Sequence, residues 1–147
     1  MFKKYNWPLN DSHFTKEDRQ KIADFFLDEN KRWTAGELVR EYESKWAEYV
    51  GVKHAIMVSS GSAANRLIAE ARKSELEFSF EWQDKNRVVV PAVTWQTSVS
   101  PWISLGYKPV FIDVDPTNYQ IDQQHLLEYL HRNYEKVAAI FPTSLLG

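Results

Sequence analysis

Residues 59–65 read Ser59-Ser60-Gly61-Ser62-Ala63-Ala64-Asn65 and directly follow a short apolar run, Ala55-Ile56-Met57-Val58. Small side chains keep the space over such a turn open, Gly61 allows close approach to the backbone, and the first turn of a following helix leaves N–H groups free for an anion. Gly61, Ser62 and Ala63 are the candidate binders; Ser62 can add a hydroxyl, and Ser60 is a lesser candidate beside it. The same small residues also suit a plain packing turn. The pattern lacks the three glycines of a dinucleotide fingerprint and the Gly-Lys-Ser/Thr of a P-loop, so a single phosphate monoester fits better than NAD or a triphosphate. A second candidate stands at Pro91-Ala92-Val93-Thr94-Trp95, where an indole follows a second apolar run. A planar ring beside a phosphate site invites stacking of a planar cofactor. In a chain with six tryptophans, ordinary packing is the alternative.

These residues share a site only if the elements around them put both turns on one rim. Thr15, with Asp18 three residues on, opens a helix that carries Ile22, Phe25 and Phe26 on one face. A loop with Trp33, Thr34, Ala35 and Gly36 leads to a second helix, in which Leu38, Tyr42, Trp46, Tyr49 and Val50 recur at helical spacing until Gly51 ends it. Ala55–Val58 predicts a strand, and the turn at 59–62 starts a third helix that runs to about Leu76. Further strands are expected at Arg87–Ala92, Val110–Val114 and Val137–Leu145. Helices are expected from Gln96 to Leu105, with Pro101 in its first turn or at a kink, and from Asp122 to about Asn133. Gly106 stops the former, and Asp115-Pro116-Thr117-Asn118 is a turn. Strands alternating with helices give βαβ units, so the fold class is α/β, a mainly parallel sheet with flanking helices on both faces. Ligands collect at the carboxyl ends of such strands, where both candidate turns fall. Ending straight after a strand, the chain reads as truncated.

Composition removes several classes of function. The 147 residues carry 18 basic and 20 acidic side chains with no basic stripe, which argues against a nucleic-acid partner. Cysteine is absent, so this segment has neither disulfides nor a thiolate nucleophile or metal site. The N-terminus has lysines without an apolar stretch behind them, and no apolar run reaches bilayer length, so no membrane partner is expected and a cytoplasmic location is. The Asn10-Asp11-Ser12 triplet matches a glycosylation sequon, without consequence in that compartment. His13 and His54 stand alone, while His125 and His131 face different directions on one helix, so no metal site is expected. Asp113 and Asp115 suit turn chemistry better than an acid/base pair. Tyr42, Trp46 and Tyr49 read as core or subunit contact rather than as a cofactor box.

From Trp33 to Gly147 the chain resembles the DegT/DnrJ/EryC1/StrS family of sugar aminotransferases, a branch of the fold type I pyridoxal 5'-phosphate (PLP) enzymes. The resemblance lies in Trp33-Thr34-Ala35-Gly36; in Tyr42-Glu43 with Tyr49 to Ala55; in Ser59 to Ala64; in Val90 to Trp95; and in Gly106 to Pro116, all in register. It implies the aspartate aminotransferase-like large domain, with residues 1–36 a helix and loop segment and 37–147 the first portion of that domain. It also implies that Gly61, Ser62 and Ala63 hold the PLP phosphate, that Trp95 stacks on the pyridine ring, and that Thr34 faces substrate. Such enzymes transfer an amino group, usually from glutamate, to a keto group of a nucleotide-linked sugar through a lysine Schiff base, and work as homodimers. Lys53 and Lys85 do not align with that lysine, which is expected past Gly147 with the pyridinium partner, so the isolated chain is expected to be inactive. Two departures bear on substrate: the aromatic stretch Ser74–Asn86 is longer than usual, and Ser144 stands where relatives often carry histidine. The turn Ser62-Ala63-Ala64-Asn65 also resembles that of the sugar 3-dehydrase branch, which uses the amine form of the cofactor and replaces the lysine with histidine. Dehydration is therefore an alternative, and a phosphate-binding fragment without chemistry is a third.

Overall fold

The computed structural model describes residues 13–77 and 84–145; Pro8, the sequon at Asn10 and residues 78–83 of the aromatic stretch lie outside the described residues. The chain divides into two compact units, Met1–Met57 and Val58–Gly147.

In the first unit, α1 spans Lys16–Leu27 and opens with a reciprocal cap. Thr15 Oγ1 accepts the Asp18 N–H at 3.1 Å, and Asp18 Oδ2 accepts the Thr15 N–H at 3.0 Å, which satisfies donors that the helix itself cannot. Helix α2 spans Glu37–Val50 and ends where Gly51, at φ 77°, takes the left-handed conformation expected of a C′ glycine. The aromatic stripe of α2 is not core: Tyr42 and Trp46 stack at 6.1 Å, Trp46 meets Tyr49 at 5.5 Å, and Tyr49 is 82% exposed. Ala47 is the buried residue of this helix.

The expected strand at Ala55–Val58 does not form. It joins no ladder, Ile56 is 77% exposed, and the Met57 N–H donates to the Glu43 carboxylate at 2.7 Å instead of to a neighbouring strand. An apolar run becomes a strand only when another backbone lies alongside to take its hydrogen bonds, and among the described residues none does.

The second unit is built on β1 (Arg87–Pro91), flanked by β2 (Lys108–Ile112) and β3 (Val137–Ile140) in the order β2-β1-β3, all parallel. Side chains alternate across a strand, and here both faces are used. Val88 and Val90 point into a cluster with Ala69 of α3 (Gly61–Glu77), Val99, Trp102, Tyr107 and Ala138. Val89 points the other way, to Ile112 and Val137 beneath Leu126, Tyr129 and Leu130 of α5 (Gln123–Asn133). Helices therefore cover both faces, as the α/β class requires. The outer strands leave Phe111 of β2 and Ile140 of β3 exposed.

Element boundaries differ from expectation for local reasons. The strand expected at Val110–Val114 starts earlier and ends at Ile112, because the Asp113 carboxylate takes the Val114 N–H at 2.8 Å and its carbonyl takes the Asp122 N–H at 2.9 Å. Val114 then makes only an isolated antiparallel bridge to Ile121. The last strand ends at Ile140 rather than Leu145; after the Phe141 N–H bonds Val89 O at 2.8 Å, Pro142 has no N–H to offer. The helix expected at 96–105 is split into a 3-10 turn, Gln96–Ser98, and α4, Ser100–Ser104, with Pro101 in the first turn of α4. Gly106, at φ 89°, stops it.

Trp102 is 1% exposed and meets Tyr107 and Phe141 edge-on at 5.3 and 5.6 Å, yet its Nε1–H finds no acceptor among the described residues. Trp102→Ala is expected to lower unfolding free energy by about 3–5 kcal/mol. Trp102→Phe also loses volume but removes a buried unsatisfied donor, which costs about 1–3 kcal/mol. Urea unfolding should therefore place the Phe variant far closer to wild type than the Ala variant; equal losses would show that the orphan donor carries no penalty.

Candidate functional site

Helix α3 begins at the small-residue turn. Ser60 is its N-cap: its hydroxyl accepts the Ala63 N–H at 3.2 Å and its carbonyl accepts the Ala64 N–H at 3.1 Å. The N–H groups of Gly61 and Ser62 have no partner among the described residues, and both residues are exposed. The Ala63 N–H, by contrast, is already engaged. A Cβ placed on Gly61 would meet nothing within 4 Å, and Gly61 is not among the residues with positive φ. Neither packing nor backbone conformation asks for glycine there. The space beside it is open among the described residues.

Trp95 follows β1 and precedes the 3-10 turn, whose Ser98 N–H bonds the Trp95 carbonyl at 2.9 Å. Its indole is 73% exposed, so it is not used in the core. Two side-chain hydrogen bonds hold this segment. Asn65, in the second turn of α3, donates from Nδ2 to the Thr97 carbonyl at 3.1 Å, and the hydroxyls of Thr94 and Thr143 lie 2.7 Å apart. The first bond joins the start of α3 to the loop after β1, and the second joins that loop to the one after β3. The loops at the carboxyl ends of β1 and β3 and the start of α3 are thereby tied into one rim, where ligands of such sheets collect. An exposed indole, free amides and open space over a glycine fit a phosphorylated planar group.

Thr34 belongs to the first unit, exposed in the bend between α1 and α2 and next to Ala35, which sits at φ 47°. Asn65, Thr94 and Thr143 had no role assigned from sequence. The available signal was Asn65 itself, a poor helix former placed just inside a helix.

Asp115 is a turn residue. Its carboxylate accepts the Thr117 hydroxyl at 2.6 Å and the Thr117 N–H at 2.8 Å, and these bonds, the hydroxyl foremost, hold its carboxyl below the usual aspartate range. A depressed carboxyl contributes stability that is complete above the ordinary aspartate value and lost as pH falls through the folded-state value. Thr117→Val should move the Asp115 titration, followed by carboxyl-carbon NMR, upward toward an ordinary aspartate; an unmoved titration would show that the hydroxyl bond is not its cause.

Residues 13–147 match the family described as the DegT/DnrJ/EryC1/StrS aminotransferase family. The chain belongs to that family. It is 37% identical over 142 residues to GDP-4-keto-6-deoxy-D-mannose 3-dehydratase of Yersinia pseudotuberculosis, an alignment covering 97% of this chain and 34% of that protein. It is 30% identical to UDP-2-acetamido-2-deoxy-3-oxo-D-glucuronate aminotransferase of Pseudomonas aeruginosa, over 79% of this chain and 29% of that one. Among solved structures it is similar to the E. coli GDP-4-keto-6-deoxy-D-mannose-3-dehydratase with bound hydrated PLP, with TM-score 0.70 and 34% identity, covering 84% of this chain and 31% of that one. The chain thus spans about a third of the length of the relatives it matches. The family resemblance read from Trp33 onward is borne out, and the match reaches back to residue 13.

Proposed function

We propose that this chain supplies the phosphate turn and ring-stacking wall of a PLP-dependent enzyme acting on a nucleotide-linked keto sugar. The observation that carries the reading is the pairing, on one rim, of unpartnered Gly61 and Ser62 amides with a 73% exposed Trp95. The amides and the Ser62 hydroxyl would bind the cofactor phosphate, helped by the positive end of α3, and Trp95 would cover one face of the pyridine ring. The Ala63 N–H joins them if the Ser60 hydroxyl yields it, which leaves Ser60 free to donate to the phosphate. When bound, PLP supplies the electron sink for chemistry at the carbon bearing the amine. The contribution of these residues is position: a fixed phosphate and a fixed ring plane set which bond of the substrate faces the reacting groups.

Within the family the 3-dehydratase reading is favoured by the 37% identity across 97% of the chain and by the Ser62-Ala63-Ala64-Asn65 turn. Amino transfer from glutamate is the second reading, supported by the family description and by the aminotransferase relative. Thr34 is proposed on the substrate side by family analogy. A homodimer in the cytoplasm completes the reading, and the exposed α2 stripe Tyr42, Trp46 and Tyr49 is consistent with a subunit contact.

Absorbance titration of the full-length protein with PLP tests the cofactor. Trp95→Ala is expected to weaken binding about tenfold or more, in line with the loss of a stacked ring worth about 1–3 kcal/mol. Gly61→Val should leave the apo-protein within about 0.5 kcal/mol of wild-type stability, because nothing surrounds the added side chain, while blocking the phosphate. Unchanged PLP affinity in both variants would overturn the site. Mass spectrometry of the sugar after incubation with a GDP-linked 4-keto-6-deoxy sugar and glutamate separates the two chemistries: a 3-dehydratase product has lost the C3 oxygen, whereas a transaminated product carries nitrogen in place of the keto oxygen.

A further inference from the structure

The segment that carries Trp95 is fastened on both sides. Upstream, Thr94 shares a hydroxyl–hydroxyl hydrogen bond of 2.7 Å with Thr143; downstream, the Thr97 carbonyl takes the Asn65 amide at 3.1 Å. Both bonds are partly buried and reach far along the sequence, across 49 and 32 residues. The donor at Asn65 is unambiguous, since a carbonyl can only accept. Ser98, at the end of the same turn, is buried, and its N–H closes back on the Trp95 carbonyl. The backbone at Trp95 is therefore fixed while its indole projects outward with most of it uncovered by the described residues.

We infer that Asn65 and the Thr94–Thr143 pair are positioning residues for the Trp95 indole, setting the plane of the aromatic wall relative to the start of α3. The inference rests on the reading of Trp95 as the ring stack, and adds what holds it there. An exposed tryptophan on an unrestrained loop would have to be ordered each time a ring bound, whereas one fastened at both flanks presents its face in advance. Asn65 is well suited to couple the two parts of the site. Its backbone lies in α3, one turn after the free amides, and its side chain reaches the turn that follows the indole. Beside the packing of Ala69 against Val99 and Trp102 and the Arg66–Ser104 hydrogen bond, Asn65 adds the directional bond that reaches the turn next to the indole itself.

The test uses the full-length protein and PLP itself, with two readouts: the dissociation constant, and the visible circular dichroism per bound cofactor, which reports how asymmetrically the ring is held. Asn65→Asp keeps the shape and removes the donor; Thr94→Val removes the hydroxyl, and Thr94→Ser restores it. Asn65→Asp and Thr94→Val are expected to raise the dissociation constant about three- to tenfold, the range of one lost hydrogen bond. They should also lower the dichroic amplitude per bound cofactor, and Thr94→Ser should recover both. Wild-type affinity and dichroism in both variants, alongside weakened binding in Trp95→Ala, would overturn the clamp and leave the stacking role standing. Wild-type behaviour in Trp95→Ala as well would remove the stacking role and the clamp with it. Affinity that falls only in step with apo-protein melting temperature, at unchanged dichroism, would reduce these residues to fold stability and overturn the inference, as would a Thr94→Ser variant no better than Thr94→Val.

Discussion

The parallel ladder through Arg87–Pro91 is shared on both sides, with β2 and with β3, and the other elements of the second unit take their places from it. Val88, Val89 and Val90 are fully buried, and because they alternate across the strand they need cover on two faces. Each such side chain is worth about 1.5–3 kcal/mol relative to exposure, so neither face can be left open without losing a large part of a typical domain's stability. Helices α3 and α4 answer one face and α5 the other. Arg72 adds a polar fastening on the first side, where its Nε–H donates to the Ala138 carbonyl at 2.8 Å, and Arg87 one on the second, reaching the Tyr129 hydroxyl at 2.9 Å.

From this arrangement the rim follows. Parallel strands end together, so the loops after β1 and β3 emerge side by side, close enough for Thr94 and Thr143 to share a hydrogen bond. Asn65 ties the start of α3 to the same place. Chemistry-bearing groups that lie far apart in sequence become neighbours because the sheet has one direction, and the free amides of α3 add a partial positive charge there without any ionisable side chain.

Much of this was readable beforehand, and the limits are instructive. Helix ends were legible because they are local: Thr15 with Asp18, Asp122, Gly51 and Gly106 each act within one turn of themselves, and all act as expected. The valine run of β1 was legible because unbroken β-branched apolar residues suit burial on both faces. Strand status at Ala55–Val58 was not, since apolar character states a need for cover but does not supply a neighbour. The ends of β2 and β3 depended on the side chain of Asp113 and the missing N–H of Pro142, details that override propensity within a residue or two. Of the site, Gly61, Ser62 and Trp95 stood out through composition at a turn, whereas the importance of Asn65 and Thr143 exists only once three loops have met. Long-range hydrogen bonds leave no period in a sequence.

The outer strands have a practical consequence. Both β2 and β3 present an unpaired backbone margin among the described residues, with Phe111 and Ile140 exposed on them; Lys108 and Pro109 blunt the start of β2, and a register shift after Val137 interrupts β3. A formal charge of −2 gives little mutual repulsion between copies. In the 147-residue polypeptide, what keeps copies from pairing strand to strand is therefore local: a lysine and a proline on one margin and one skipped residue on the other, with the stretches at Phe111 and Ile140 left as the points where a second backbone could dock.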